Sequence, residues 1–337
     1  MRRVWLAGLL LSLAALALAP AAQGRLVIRM ATLVPGGSIW DRNLKQMASE
    51  WSKASNGRVT LTVFPGGSLG DEREVVRRMR FENPQAAALT VVGLAEIDPA
   101  FNVFSSPFFF DSYDELYHVI EKMTPALAAR LDQRNLVLLA WGHGGWAQIF
   151  TTRPVRTLGD LKGIKLFTSA GDERMVQWYK ANGFQPVALA MTDILTSLTS
   201  GMIEGMPAPP AAANAFQWFR QTKFMLDIGI APVVGAVVVT KPTWNKLSEA
   251  DRAAFLASAR TMEQRLEIEI PNQDRASIAE MQKRGLTVVK AEGPEWRTIA
   301  QQFSSSMRES MVPADIYDMA VRERDAFRTQ KPAGSGR

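Results

Sequence analysis

The sequence predicts an α/β protein built from two domains. Predicted strands and helices alternate from residue 26 onward, which is typical of α/β folds. The roughly 310 residues that follow an N-terminal apolar segment suggest about two domains. A glycine-rich stretch at 142–145 separates two alternating regions, and glycines allow the backbone changes that a hinge between domains requires.

The N-terminus has the pattern of a secretory signal peptide. Arg2 and Arg3 precede an apolar run at 4–19, and small residues follow it up to Gly24. The run is shorter than the about 20 apolar residues that a spanning helix needs, although an uncleaved membrane anchor is the alternative interpretation. We therefore expect residues 1–24 to be removed, with cleavage near Ala22 or Gly24, and the remaining chain to be periplasmic.

The first half of the chain predicts three strands and two helices. Strands are expected at 26–33, 58–64 and 86–92 because apolar residues alternate or cluster there. Trp40, Leu44, Met47 and Trp51 recur at helical spacing between the first two strands. A glycine turn at 65–70 leads into a second helix, whose first turn is acidic, as helix starts favour.

The second half predicts six more strands and a long helix. The strands are expected at 136–141, 147–152, 164–168, 186–191, 233–240 and 286–289. Shorter helices are expected at 172–182 and from a cap at Thr192 to Gly201. Ser248 and Asp251 resemble a capping box that opens a long helix. Pro271 is expected to end that helix after Ile270, because proline lacks the N–H that a helix interior uses.

These elements suggest a division of the chain that crosses between the two domains three times. We expect domain I to comprise 25–143 and 233–270, and domain II to comprise 144–232 and 271–328. Residues 329–337 read as a disordered tail.

Composition argues against several functional classes. The chain has no cysteine, and its two histidines, His118 and His143, are not at metal-binding spacing. The net charge of +6 comes from scattered basic residues, whereas a nucleic-acid surface needs grouped ones. The turn at 65–70 lacks a P-loop lysine, and Asp71 and Glu72 read as a solvated helix start. We therefore predict no metal, no cofactor and no nucleic-acid partner.

One motif and one histidine bear on an enzymatic interpretation. Residues 142–147 fit G-x-G-x-x-A, but a β-like segment follows instead of the helix that would hold a pyrophosphate. No nucleophile, base and oxyanion site assemble from the motifs, so we predict that the chain is not an enzyme and has no catalytic residues. A periplasmic hydrolase that uses His143 is the alternative.

Four segments, in order along the chain, resemble the DctP-type receptors of TRAP transporters. They are the strand and glycine turn at 63–74, the apolar segment at 101–111, Asp-Leu-Lys-Gly-Ile-Lys at 160–165, and Leu-Thr-Ser-Gly-Met-Ile-Glu-Gly at 198–205. The resemblance covers nearly the whole chain after residue 24.

The resemblance implies a two-domain fold like that of periplasmic binding proteins. It implies a central ligand cleft, hinge strands and a long helix along both domains. It also implies a small organic ligand and a membrane permease of one small and one large subunit, driven by an ion gradient. A binding protein of an ATP-driven importer is the alternative.

The chain departs from the family at three positions that the resemblance places in the cleft. An arginine that grips the substrate carboxylate in most members is replaced by Phe167. A second arginine near the hinge is replaced by Ala147, and a ligand-facing asparagine by Ala208. Burying a carboxylate without a cation or donors is costly, so we expect a ligand that is weakly polar or apolar at this end. Arg174 or Arg153 is the alternative source of a cation.

The predicted ligand-binding residues combine this pattern with aromatic residues near the cleft. The competing interpretation is that these aromatic residues pack in the ordinary core. The set is Trp40, Thr90, Trp146, Ala147, Phe167, Asp172, Met206, Ala208 and Trp218.

Overall fold

The computed structural model describes residues 25–170 and 172–330. The predicted signal peptide at 1–24 and residues 331–337 of the predicted tail lie outside the described residues. Residues 329 and 330, assigned to that tail, instead form the last turn of the final helix. No helix in the described part of the chain is long and apolar enough to cross a bilayer.

Two β-sheets organise the described chain. The first has the order β2-β1-β3-β10-β4, with β10 antiparallel to both of its neighbours. The second has the order β11-β9-β5-β8-β6-β7. The strands are β1 (Leu26–Thr32), β2 (Val59–Phe64), β3 (Ala86–Thr90), β4 (Leu136–Trp146), β5 (Gln148–Thr151), β6 (Lys165–Ser169), β7 (Gln185–Leu189), β8 (Gly205–Ala208), β9 (Phe224–Asp227), β10 (Pro232–Thr240) and β11 (Thr287–Lys290).

Helices cover both sheets and confirm the predicted α/β class. They are α1 (Ile39–Ala54), α2 (Glu72–Met79), α3 (Val91–Ile97), α4 (Tyr113–Gln133), α5 (Leu158–Lys162), α6 (Glu173–Ala181), α7 (Ile194–Thr199), α8 (Pro210–Ala215), α9 (Lys241–Asn245), α10 (Glu249–Lys283), α11 (Glu295–Met307) and α12 (Ala314–Gln330). The sequence reading missed α4, and it extended β3 into what is the first turn of α3. There Thr90 ends the strand and caps the helix by accepting a hydrogen bond from the Val92 N–H.

Each sheet carries an apolar core on both faces. In the first sheet, one core packs under α1 and α10, and includes the stacked rings of Trp51 and Phe255, whose centroids lie 4.2 Å apart. The other core packs under α4 and α12. In the second sheet, the two cores pack against α7 and α8 on one face and against α5 and the start of α11 on the other.

The chain crosses between the sheets at Ala147, not at the glycines. The predicted break at 142–145 is wrong, because β4 continues as one strand to Trp146 and pairs with β10 through two irregularities in register. The Ala147 N–H donates to the carbonyl of Ala231 (2.8 Å), and the Ile230 N–H donates to the carbonyl of Ala147 (2.9 Å). Two crossing segments are therefore hydrogen-bonded to each other.

The long helix α10 forms a third crossing, and its predicted end at Ile270 is wrong. It continues through Pro271 to Lys283. Its buried residues recur in steps of three and four from Asp251 to Met281, so one buried and mostly apolar stripe runs along the whole helix. Packing along this stripe keeps the helix intact where proline removes one backbone hydrogen bond. The first half packs with the first sheet and the second half with the second.

The C-terminal helix packs on the first domain, against the predicted assignment of 271–328 to domain II. Ile316 and Ala320 of α12 belong to the core under α4. Arg328 of α12 pairs with Asp111, just before α4, at 2.9 Å. Helix α11 leads the chain from the second sheet back to the first, since its Trp296 packs in a second-sheet core and its Phe303 in a first-sheet core. The apolar residues of α12 that follow therefore pack on the first sheet.

Candidate functional site

A cavity of ≈ 820 Å³ lies between the two sheets and takes walls from both. The first-domain wall includes residues of α1, β3, α3, β4 and β10. The opposite wall includes residues of β6, α6, α7, β8 and α8. This volume lies within the range of small-molecule sites, which are typically lined by apolar and aromatic side chains with a few polar groups.

Seven of the nine predicted ligand-binding residues line this cavity together. They are Trp40, Thr90, Ala147, Phe167, Asp172, Ala208 and Trp218. Residues from sequence positions 40 to 218 meet here because the two sheets face each other across the crossing segments.

Met206 and Trp146 do not line the cavity, and the prediction for them is corrected. The Met206 side chain is fully buried in a second-sheet core. The Trp146 ring packs edge-on against Tyr113, with ring centroids 5.2 Å apart, and lies against Gly229 of the neighbouring crossing segment. Both residues pack the fold beside the cavity, which is the ordinary role of large apolar side chains.

Phe167 and Ala208 give the second-domain wall an apolar character. Phe167 lies in the middle of β6, beside Val187 of β7, and is partly buried. Ala208 ends β8 and is 2% exposed. Trp218 adds a ring that stacks on Phe216, with centroids 4.5 Å apart, and both rings line the cavity.

Trp40 and His143 form part of the first-domain wall. The Trp40 indole Nε1 donates to the carbonyl oxygen of His143 (3.1 Å). The His143 ring is hydrogen-bonded through Nε2 to the Tyr117 hydroxyl (2.7 Å). Burial lowers the His143 pKa to about 4, so this imidazole is neutral at pH 7. Its bonded partner is a phenol and not a serine hydroxyl, so this pair lacks the arrangement of an activated nucleophile.

Arg174 is the single lysine or arginine among the described residues that line the cavity. Its guanidinium is exposed and already donates to the carbonyl of Ser310. Arg153 is away from the cavity, where it donates to the carbonyl of Gly163 (2.7 Å). The alternative that Arg153 supplies a cation to the site is therefore wrong, and Arg174 is held at the rim.

Five carboxylates line the same cavity and outnumber its cations. They are Asp71, Glu72, Glu96, Asp172 and Glu173. Glu96 belongs to α3 of the first domain, and its negative charge contributes to raising the pKa of Asp172 on the second. The two carboxylates therefore interact across the cavity, so the site has an acidic side and an apolar side.

Glu72 is a buried part of this wall and not a solvated helix start, as the sequence suggested. It is 3% exposed and accepts hydrogen bonds from the Thr90 N–H and hydroxyl (2.6 Å each) and from the Gly93 N–H (3.0 Å). Burial raises the pKa of its carboxyl group. The acidic first turn of α2 did not predict that Glu72 is buried, because its hydrogen-bond donors, Thr90 and Gly93, lie eighteen and more positions later in the sequence.

Asp172 caps the start of α6, where its side chain accepts a hydrogen bond from the Met175 N–H (3.1 Å). Burial raises the pKa of its carboxyl group, while this N–H bond and the nearby Arg174 oppose the rise. A partly buried carboxyl at a helix start can accept a hydrogen bond from a ligand or balance a ligand's positive charge.

Within the described residues, the structure holds no group of three or more histidine and acidic side chains that suits a metal ion. The G-x-G-x-x-A motif lies in β4 and ends at the sheet crossing, so its glycines do not open a helix. The G-x-G-x-x-A pattern therefore lies in a strand and lacks the helix start that would hold a pyrophosphate.

Comparison with known proteins agrees with this geometry. The family model for DctP, bacterial extracellular solute-binding protein family 7, matches residues 30–312. A solute-binding protein of Chromohalobacter salexigens is 27% identical over 64% of this chain and 65% of its own length. The 2,3-diketo-L-gulonate-binding periplasmic protein YiaO of Escherichia coli is 25% identical over 72% of this chain and 71% of its own length.

The fold is also that of a solved TRAP periplasmic solute-binding protein from Xanthobacter autotrophicus Py2, which holds β-D-galacturonate. The two share 19% sequence identity and a TM-score of 0.82, over 88% of this chain and 99% of the other. The chain with this cavity between two sheets therefore belongs to the DctP family of bacterial extracellular solute-binding proteins.

Proposed function

We propose that the protein is a periplasmic receptor that captures a small organic solute between its two domains and delivers it to a TRAP-type permease. The observation that carries this proposal is the ≈ 820 Å³ cavity between the sheets of a chain in this family. The crossings at Ala147, at 228–231 and along α10 provide the connections about which two domains can close on a ligand. The small and large membrane subunits and the ion gradient belong to the same proposal.

The domain division is proposed with revised boundaries. Domain I comprises the first sheet with α12, and domain II the second sheet with the latter part of α10 and the start of α11. Export by cleavage near Ala22 or Gly24 completes the proposal.

We infer further that the solute does not present a carboxylate to the second-domain wall. The named relatives above bind acids: 2,3-diketo-L-gulonate and β-D-galacturonate. In this chain Phe167 and Ala208 offer an anion no donor, and Arg174 already bonds Ser310. Because the remaining charges of the wall are carboxylates, a buried anion would meet repulsion as well as a desolvation cost. A neutral or cationic solute with an apolar body fits these surroundings.

A thermal-shift screen tests the receptor function. The library contains matched triplets in which one carbon skeleton carries a carboxylate, a hydroxyl or an amine. We expect at least one compound to raise the melting temperature through binding to the native state. Ala95→Trp places a large ring in the cavity wall and should abolish that shift, whereas Ala215→Trp, exposed on α8 and outside the cavity, should retain it. No stabilisation of the wild type, or an unchanged shift in Ala95→Trp, contradicts the proposal.

A further inference from the structure

Two of the crossings between the sheets, α10 and the end of β4, meet at one buried carboxyl group. Asp274 lies in the middle of α10 and is 8% exposed. Its Oδ1 accepts a hydrogen bond from the Ala211 N–H at the start of α8 (2.9 Å). The backbone N–H of Trp146, next to the crossing residue Ala147, also donates to it. One side chain therefore ties the spanning helix to the end of β4 and to the second domain.

The strand beside Asp274 approaches it too closely for any residue except glycine. Gly145 has a φ of +103°, and a Cβ atom there would lie only 2.9 Å from the Asp274 carboxyl carbon. Gly229 of the other strand crossing packs directly against the Trp146 ring. The region is packed so tightly that relative movement of the domains has to change the surroundings of Asp274.

Few charges oppose or support ionisation of this carboxyl group. From α4 it faces the Tyr113 hydroxyl, and from β4 the neutral His143 ring lies beyond Tyr113, at 5.1 Å between ring centroids. Arg275 on α10 acts on Tyr113, and α8 has no titratable side chain. Burial raises the pKa of Asp274 to about 7, although the two backbone donors oppose the rise.

We propose that Asp274 links the crossing segments of the hinge, and that its protonation state shifts the equilibrium between arrangements of the two domains. The protonated carboxyl suits the buried, tightly packed arrangement described here. The ionised carboxylate favours an arrangement that admits water to the crossing, because burying an unpaired charge is costly. The domains therefore sample a more hydrated hinge as the pH rises through neutrality, with or without a solute.

Distance measurements between spin labels test this proposal without any ligand. The chain has no cysteine, so Lys53→Cys on α1 and Gln177→Cys on α6 place one label on each domain at exposed positions. We expect the distance distribution to change between pH 5 and pH 8, with a midpoint near 7. Asp274→Asn keeps the shape of the side chain and cannot titrate, so its distribution should not change over this range.

A second carboxyl group on α10 is the matched control. Glu263 also has a pKa raised to about 7 by burial, but it accepts its hydrogen bond from the Trp141 N–H within the first domain. Glu263→Gln should therefore retain the pH response of the wild type. The proposal is overturned if Asp274→Asn responds to pH as the wild type does. It is equally overturned if the distance distribution between the two labels in the wild type is the same at pH 5 and pH 8. This second result does not depend on whether the Asp274→Asn variant folds.

Discussion

At the scale of single residues, the chemistry of the cavity wall sets this chain apart from the pattern its family resemblance implies. Phe167, Ala147 and Ala208 all line the cavity, at the positions where the resemblance implies two arginines and an asparagine. No compensating lysine or arginine enters the described wall except the rim residue Arg174. Three apolar replacements at one site argue for a change of cargo more strongly than a single substitution would.

Sequence reasoning identified these wall residues because a motif fixed their positions. It failed for Met206 and Trp146, and for the buried role of Glu72, because burial depends on partners distant in sequence. Trp146 is covered by Tyr113 and Gly229, and Glu72 is bonded by Thr90 and Gly93. A sequence pattern shows that a residue is aromatic or acidic but does not show which surface will cover it.

Gly145 should be required both for its backbone angle and for its lack of a side chain. Gly145→Ala forces an unfavourable positive φ and a clash with Asp274, so we expect a loss of at least about 2 kcal/mol in the free energy of unfolding. Gly285→Ala is the matched control, since Gly285 has a φ of +98° and open space around its Cβ position. It should cost about 1 kcal/mol. Urea denaturation measures both, and equal losses would argue against the close contact with Asp274.

At the scale of elements, nine of the eleven strands in the described chain were predicted, whereas β8, β9 and α4 were missed. Two errors of boundary occurred at glycine and proline. The glycines at 142–145 remain in β4 because β10 pairs with them. Pro271 remains in α10 because the buried stripe on both sides of it packs continuously. Tertiary packing outweighed the local tendency of these residues to break an element.

Pro271 should still weaken the helix that contains it. Pro271→Ala restores a backbone donor and removes a steric clash, so we expect a gain of about 1 to 3 kcal/mol in the free energy of unfolding. Pro242 lies in the first turn of α9, where proline is well tolerated, and Pro242→Ala should bring no gain. Calorimetric unfolding compares the two variants. A lower melting temperature for Pro271→Ala would mean that the fold depends on a local bend at this residue.

At the scale of the whole molecule, buried carboxyl groups should make stability depend on pH. The folded-state pKa of Asp274 is raised from 3.8 to about 7. Between these values the folded chain binds more protons than the unfolded chain, so stability is full below about pH 4 and is lost as the pH rises through 7.

Asp274→Asn should remove this contribution. Relative to the variant, the wild type should lose on the order of 2 to 4 kcal/mol between pH 4 and pH 8. Urea unfolding of both proteins at each pH measures the difference, and Glu263→Gln provides a second comparison, because burial raises its pKa to about 7 as well. A constant difference between wild type and Asp274→Asn would show that this carboxyl group does not titrate in that range.

The cleft of this receptor is proposed to accept an apolar solute without a carboxylate. Isothermal titration calorimetry of the wild-type protein with the three members of the most stabilising triplet tests this proposal most directly. We expect the hydroxyl or amine member to bind in a 1:1 complex, and the carboxylate member to bind at least about tenfold more weakly, which corresponds to about 1.4 kcal/mol. Tightest binding by the carboxylate member would show that the cleft selects an acid after all.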